Sequence, residues 1–465
     1  MKITAPLFKI EDTVIPRPAR QVAHPVVSAT EDDLTGIAGV AIWGELLDRL
    51  SLVAESDRRQ LRPIGPGGYS GGECYRAVVE TQLAGGDFIS DRSLLDGEAT
   101  ARLRGEHALP SGTTLWRFLA GADLGRVKRA EAVNRTMLRR AWAMGAGPAP
   151  GVLTIDPDAT YVSTYGPKKE GSRFSYKGEV QMSPLVGVCG ETGDVLALRA
   201  RAGNASPRKK LASFVDECVA GVPEPWRSTR QLWVRVDSAG YSAAVVKTAI
   251  RHGAAFTITC LKDKKVQAAI YELASDEKTV WVPAIGAKAE LAGSEVAECA
   301  YRFAGKVLRM IVRRQRTRAG EQLSFDDLDG WRFHAIITNI AYLFGDAASI
   351  EHHHRLRGGA PEEAIRQLKE DFGLNHAPLE NFSGNWLWWC ASALAYNAAR
   401  WVRVLALPES FATCRGKRLR LKFLNVPARV TTSGRQLRLR LPRAYAHAKD
   451  FAVALARVRA LPAFA

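Results

Sequence analysis

The order of apolar runs between Gly151 and Cys260 constrains this chain more than any other feature. "GVLTIDPDATYVSTY" reads as a strand and its continuation, and "SPLVGVCGETGDVLALRARAG" as two apolar runs joined by GETG, a hairpin signal. A helix candidate runs from Ser206 to about Val222. A buried strand in "QLWVRVDSAGYS" then ends at Asp237, and a helix over 241–252 and the strand "AFTITC" follow. Strand, hairpin, helix, strand, helix, strand predicts an α/β fold with a mixed sheet flanked by helices.

The flanking regions have different periods. Residues 1–150 begin irregularly, with prolines, and continue in helix-like patterns such as "GVAIWGELLDRLSLV" and "TLWRFLAGADLGRVKRAEAVNRTMLRRAW", the latter with Ser111 as a plausible N-cap. Between them "GPGGYSGG" superficially resembles a phosphate loop. No strand precedes it and its third glycine position is serine, so it reads as a flexible interhelical connection. After the first sheet segment, 151–261, short strand candidates over 262–328 ("TVWVPA", "SEVAECAYRF", "KVLRMIVRRQ") read as an inserted β subdomain. The sheet resumes over 329–405 with "WRFHAIITNI" and further helix. Over 406–465, "KRLRLKFLNVPARVTTSGRQLRLRL" alternates basic and apolar residues, which predicts a basic C-terminal hairpin, followed by a helix.

A chain of 465 residues with 46% hydrophobic composition can bury substantial cores and is not disordered. Its seven cysteines lie far apart without a CxxC pair, which predicts reduced core residues rather than zinc or disulfides. No window approaches the apolar length of a membrane span, and the first residues lack a signal peptide's apolar core, so the expected location is the cytoplasm, associated with the nucleoid. The net charge of +17 and a pI near 9.7 point to a polyanionic partner. The charge is concentrated: residues 126–140 hold six basic residues and one acid, 309–318 five and none, and the stretch from Ala406 onward thirteen and two.

Acids at the C-terminal ends of apolar strands lie where an open sheet usually puts its site. Asp156 and Asp158 of "LTIDPDAT" and Asp237 of "VRVDSAG" satisfy this, and Glu362 lies in the later helix "EEAIRQLKEDFGLNH". Seven residues separate Glu362 from Lys369, so the two share a helix face about 10 Å apart, too far to pair and suited to a third group. Phosphodiester chemistry needs an activated water or hydroxyl, neutralised phosphate charge and a stabilised leaving oxygen. Two divalent cations about 3.5–4 Å apart supply all three, and carboxylates are the hard ligands that hold them.

"DAT" at 158–160, "VRVDSAGY" at 234–241, and "EEAIRQLKEDFGLNH" followed by "LAYNAARW" resemble the three signature regions of bacterial insertion-sequence DDE transposases, in the group with a β insertion between the second aspartate and the glutamate. The resemblance covers roughly 151–405. It implies a ribonuclease-H-like core, catalysis by Asp158, Asp237 and Glu362 with two Mg²⁺ ions (Mn²⁺ as a substitute), and DNA cleavage and strand transfer. Asp158 matches the family pattern of an aspartate followed by a small residue and Thr or Ser. Asp156, two residues earlier on the same strand face, is the reserve metal ligand.

The family's tyrosine and arginine before the glutamate are replaced by Arg355 and Gly358, and Arg355 and Arg357 could supply the missing charge. With Lys369, Arg366, and Arg313, Arg314 and Arg316 of the insertion, they form the expected DNA contacts. In relatives that form hairpins an aromatic residue in the insertion stacks a flipped base, a role open to Trp281, with core packing as its other reading. The histidines of "EHHH", 351–354, lack a completing ligand set and are expected to face DNA or the core. The tryptophans of "NWLWW" are expected to pack a helix. The expected partners are terminal inverted repeats, target DNA and a second copy in a synaptic dimer, with no membrane. The competing readings are a ribonuclease-H-like nuclease or resolvase without strand transfer and a catalytically silent DNA-binding regulator.

Overall fold

The computed structural model describes residues 33–62, 68–105, 107–166, 168–175, 178–286, 293–317 and 330–464. The irregular start and positions 65–67 of the glycine-rich stretch lie outside these residues, as do 287–292 and 318–328 of the insertion.

The centre is a nine-stranded mixed sheet. Its strands are β1 (Val152–Ala159), β2 (Leu185–Cys189), β3 (Val195–Arg199), β4 (Gln231–Val236), β5 (Ala255–Thr259), β6 (Val282–Pro283), β7 (Glu295–Phe303), β8 (Lys306–Arg316) and β9 (Trp331–Thr338). They lie in the order β6-β7-β8-β9-β5-β4-β1-β2-β3. β1 is antiparallel to β2 and parallel to β4, which is parallel to β5. The half that runs β3-β2-β1-β4-β5 is consistent with a ribonuclease-H-like transposase fold. As predicted, GETG turns β2 into β3.

Both faces of the sheet are covered, which explains the near-continuous apolar runs of the parallel strands. Along β4, Leu232, Val234 and Val236 enter the main core, while Trp233 packs in a second cluster with Ile311, Ile336 and Ile350. Asp156, Asp158, Trp233 and Arg235 belong by alternation to this second face.

The main helices are α1 (Val40–Arg49), α2 (Gly71–Ala84), α3 (Gly112–Ala120), α4 (Leu124–Ala141), α5 (Leu211–Gly221), α6 (Ala243–Arg251), α7 (Lys264–Ser275), α8 (Ala347–Arg355), α9 (Ala360–Asp371), α10 (Phe382–Leu405) and α11 (Ala448–Ala460). α10 packs on β3 and on α1 to α4, and α11 packs on α1 and α10. One hydrophobic cluster therefore runs from Ile37 to Val458, across the sequence boundaries at 150 and 405. The tryptophans 386, 388 and 389 are buried in it.

Several local expectations change. The long helix after Ser111 is two: Ser111 caps α3, the chain breaks at Gly121, and the Asp123 carboxylate accepts from the Arg126 amide to start α4. The strands of the β insertion join the main sheet. β7 pairs with β8 and β8 with β9, so its strands lengthen the main sheet. It also contains a helix, α7, which Asp263 caps. The C-terminal hairpin forms from Ala428–Ser433 and Gln436–Arg440, and Leu34–Thr35 adds a third strand to it. Ser70 caps α2 in a capping box with Glu73, so the tail of the glycine-rich stretch is a helix start.

Candidate catalytic site

β1 carries Asp158 out to the sheet end, where the Ala159 amide donates to its Oδ1 at 2.8 Å. Asp237 follows β4 and caps a short turn, accepting from the Ala239 amide at 3.0 Å. Because β1 and β4 are adjacent and parallel, their C-terminal ends bring the two acids together. Arg357, in the turn between α8 and α9, joins them: its Nη2 lies 2.8 Å from Asp158 Oδ2 and 4.0 Å from Asp237 Oδ2. Glu362 stands in the first turn of α9, exposed, with its Oε1 directed toward Gly358. Burial raises the Asp158 carboxyl above its ordinary value, Arg357 opposes this, and Asp237 and Glu362 raise it further. Two carboxylates from two other elements thus act on Asp158, with one guanidinium between it and Asp237.

Asp156 is placed differently. It shares a strand face with Asp158 but is 1% exposed and bidentate to Arg235, Nε to Oδ1 and Nη2 to Oδ2 both at 2.8 Å. Arg235 Nη1 continues to the His353 carbonyl at 2.6 Å. The reserve acid is therefore engaged in a buried ion pair that ties β1, β4 and α8 together. The sequence carried a signal for this pairing, since an arginine inside the apolar run "LWVRV" must find a buried partner.

The profile of the family described as "Transposase DDE domain group 1" matches residues 78–463. The chain belongs to this family of DDE transposases. No curated protein matches it. Among solved structures, the piggyBac transposase synaptic complex with hairpin DNA, determined by cryo-EM, is similar at 11% identity and a TM-score of 0.37, covering 77% of this chain and 73% of that one. Family membership implies DNA transposition, and DDE transposases use divalent metals.

The donor set of this transposase suits such ions in type and charge: hard carboxylate oxygens, mutually repelling, already drawn to a cation in the form of Arg357. As the side chains stand, no three His, Cys, Asp or Glu among the described residues are grouped to hold a metal, because the guanidinium lies between Asp158 and Asp237.

The other predicted contacts separate into two sets. Lys369 lies on α9 with Glu362 but makes no ion pair with it; it is half-buried, and burial lowers its pKa. Arg366 is exposed and pairs with Glu363. The predicted arginines 355, 313, 314 and 316 make contacts within the protein. Arg355 and Arg313 share the buried Glu351, at 2.8 and 3.0 Å. Arg314 pairs with Glu295 at 2.7 Å and lies over Trp281 and Trp331, at 4.0 and 4.4 Å from the ring centroids, and Arg316 also covers Trp331. Trp281 is half-buried, with Arg314 against its ring and Phe333 nearby.

The histidines after Glu351 face inward. His353 packs edge-on to Trp233 at 4.5 Å, and burial pushes it down to about 4. His354 bonds Thr257 and Thr259. No described helix is long and apolar enough to cross a membrane.

Proposed function

We propose that the protein binds the terminal inverted repeats of an insertion sequence as a homodimer in a synaptic complex, cleaves the element ends and joins them to target DNA. The observation that supports this reading is that adjacent parallel strands bring Asp158 and Asp237 to one Arg357 guanidinium, with Glu362 close enough to raise the Asp158 carboxyl.

In this reading Asp158, Asp237 and Glu362 hold two Mg²⁺ ions, with Mn²⁺ as a substitute. When bound these supply Lewis-acid polarisation of the scissile phosphate and a lowered pKa for the attacking water. The chain's own residues do the rest. Lys369, about two helix turns from Glu362, holds a phosphate of the strand being cut, so that the water oxygen attacks phosphorus in line with the departing 3′-oxygen. Arg357 offsets the charge of the two aspartates, and a guanidinium at that place also suits a phosphate of the DNA. The freed 3′-hydroxyl then attacks a target phosphate, and a target 3′-oxygen leaves. Asp156, paired with Arg235, positions β1 and is not a ligand.

The test uses labelled DNA carrying the sequences that flank the protein's own coding region. Asp158→Asn, Asp237→Asn and Glu362→Gln should each abolish cleavage and joining while leaving DNA binding intact. Cleavage without joining by the wild type would favour a nuclease or resolvase. Normal cleavage by any of the three variants would remove that acid from the proposal.

A further inference from the structure

A cleft of about 350 Å³ is bordered by Phe88, by Trp116 of α3, by Tyr165 and Lys169 in the chain that follows β1, and by Asn375 and His376 just after α9. The segments that carry Asp158 and Glu362 therefore both continue into its walls. Glu362 stands in the first turn of α9 and Asn375 and His376 follow its last, so this twelve-residue helix, about 18 Å long, lies between the glutamate and the cleft.

The chemistry of its walls is unusual for a surface. Phe88 and Trp116 are each 53% exposed and Tyr165 is 94% exposed. Three large rings from three separate segments thus turn toward water around one opening, an arrangement that contributes nothing to the core and marks a binding site. The His376 ring lies edge-on to Phe88 at 5.0 Å and anchors that wall through Asp87, at 3.5 Å. The exposed Asn375 amide makes no hydrogen bond within the described residues and offers both a donor and an acceptor. Lys169 donates to the Ala377 carbonyl and retains two N–H groups for another acceptor.

We propose that this cleft takes one unpaired nucleotide of the DNA strand adjacent to the cleaved end, its base stacked on Trp116 and its edge read by Asn375. The proposal rests on the DNA-transposase reading above. Aromatic faces at a protein surface reach a base only after it has left the duplex stack, because a paired base hides both faces against its neighbours. The polar groups fit the same ligand. The ammonium of Lys169 suits the phosphate, while Asp87 on the other wall keeps the phosphate on the lysine side. The +17 chain supplies the long-range attraction to DNA.

The test is fluorescence binding of full-length protein to a short single-stranded oligonucleotide with one 2-aminopurine, and to the same sequence as a blunt duplex. The wild type should quench the 2-aminopurine of the single strand on binding. Trp116→Ala should weaken single-strand binding on the order of tenfold and relieve the quenching, with duplex binding unchanged, and Trp116→Phe should restore most of both. Unaltered quenching and affinity in Trp116→Ala, with the wild type still binding duplex, would overturn the cleft and leave the transposase reading standing. Unaltered quenching accompanied by a change in sedimentation mass would assign the rings to a second copy of the chain and also overturn it. A wild type that binds neither oligonucleotide would overturn both readings.

Discussion

Replacing Arg357 by glutamine removes the guanidinium that faces both Asp158 and Asp237, and the geometry sets the size of the effect. The contact of 2.8 Å to Asp158 corresponds to about 6 kcal/mol of gross Coulomb attraction at an effective dielectric of about 20. Desolvation of the two groups cancels most of this, and hydrogen bonds to charged groups retain a net ~1.5–3 kcal/mol. Asp237 adds little, because it lies at 4.0 Å and its side chain is 42% exposed, so that solvent screens it. Arg357→Gln should therefore lower stability by about 2 kcal/mol at neutral pH in a chelating buffer.

The pH dependence has a definite sign. Burial already raises the Asp158 carboxyl, and losing Arg357 raises it further. An acid raised in the folded state favours folding most below its unfolded pKa, and that contribution is lost as pH rises through the folded value. The deficit of Arg357→Gln should be largest near neutrality and shrink as pH falls into the carboxylate range. Mg²⁺ or Mn²⁺ should recover more stability in the variant than in the wild type, since a cation that binds only the folded carboxylates stabilises by mass action. Urea unfolding followed by tryptophan fluorescence measures all three effects. Equal midpoints at neutral pH in chelator, or a deficit that persists unchanged at acidic pH, would refute the reasoning.

Three further outcomes follow from the same structure. Lys369→Met should hold or slightly raise stability, because it removes a half-buried charge whose burial outweighs the attraction of Glu370, yet reduce single-turnover cleavage on the order of a hundredfold, with Lys369→Arg recovering part. Asp156→Asn leaves Arg235 buried without its partner and should cost about 3–5 kcal/mol in chemical unfolding; a variant that folds like the wild type but loses metal-dependent cleavage would make Asp156 the first catalytic acid. On the C-terminal hairpin, Arg429 lies opposite Arg440 and Arg438 opposite Thr431, so Arg438→Ala with Arg440→Ala should reduce the slope of log DNA affinity against log salt by about 0.9 for each phosphate that is no longer neutralised. Point substitutions are the right probe there. Deleting everything after 405 would also remove Phe451 and Val458 from the core and the strand that pairs with Leu34–Thr35.

Much of the catalytic half was legible in the sequence because its signals are local. Alternation and turn residues marked β1 to β5 and the GETG hairpin, and the acids at the ends of β1 and β4 stood out because an open sheet usually puts its site at the C-terminal ends of its strands, although such an acid also serves as a turn cap, as Asp237 does. The family signatures then selected Asp158, Asp237 and Glu362. What the sequence could not convey was partner choice among like charges. Arg313, Arg314, Arg355 and Arg357 are equally basic in one dimension, and charge alone predicts that all four meet DNA. Arg355 reaches Glu351 within one helix, but only the packing of α8 against β7 and β8 brings Arg313 to the same buried acid and leaves Arg357, two residues on, facing the acids.

The division between Asp156 and Asp158 has the same origin. They share a strand face, and β4 sets Arg235 beside one and Asp237 beside the other. The same holds at larger scale: a strand of two residues, Leu34–Thr35, carries no periodicity to read, and its pairing with a hairpin near position 430 exists only once α10 has gathered the helices from both ends of the chain. Periodicity and strand-end chemistry are properties of short segments, so the sequence by itself determined the mixed sheet and its acids. Charge pairing depends on distances between segments far apart in the chain, so only the tertiary structure decided which basic residues hold the protein together and which face the site.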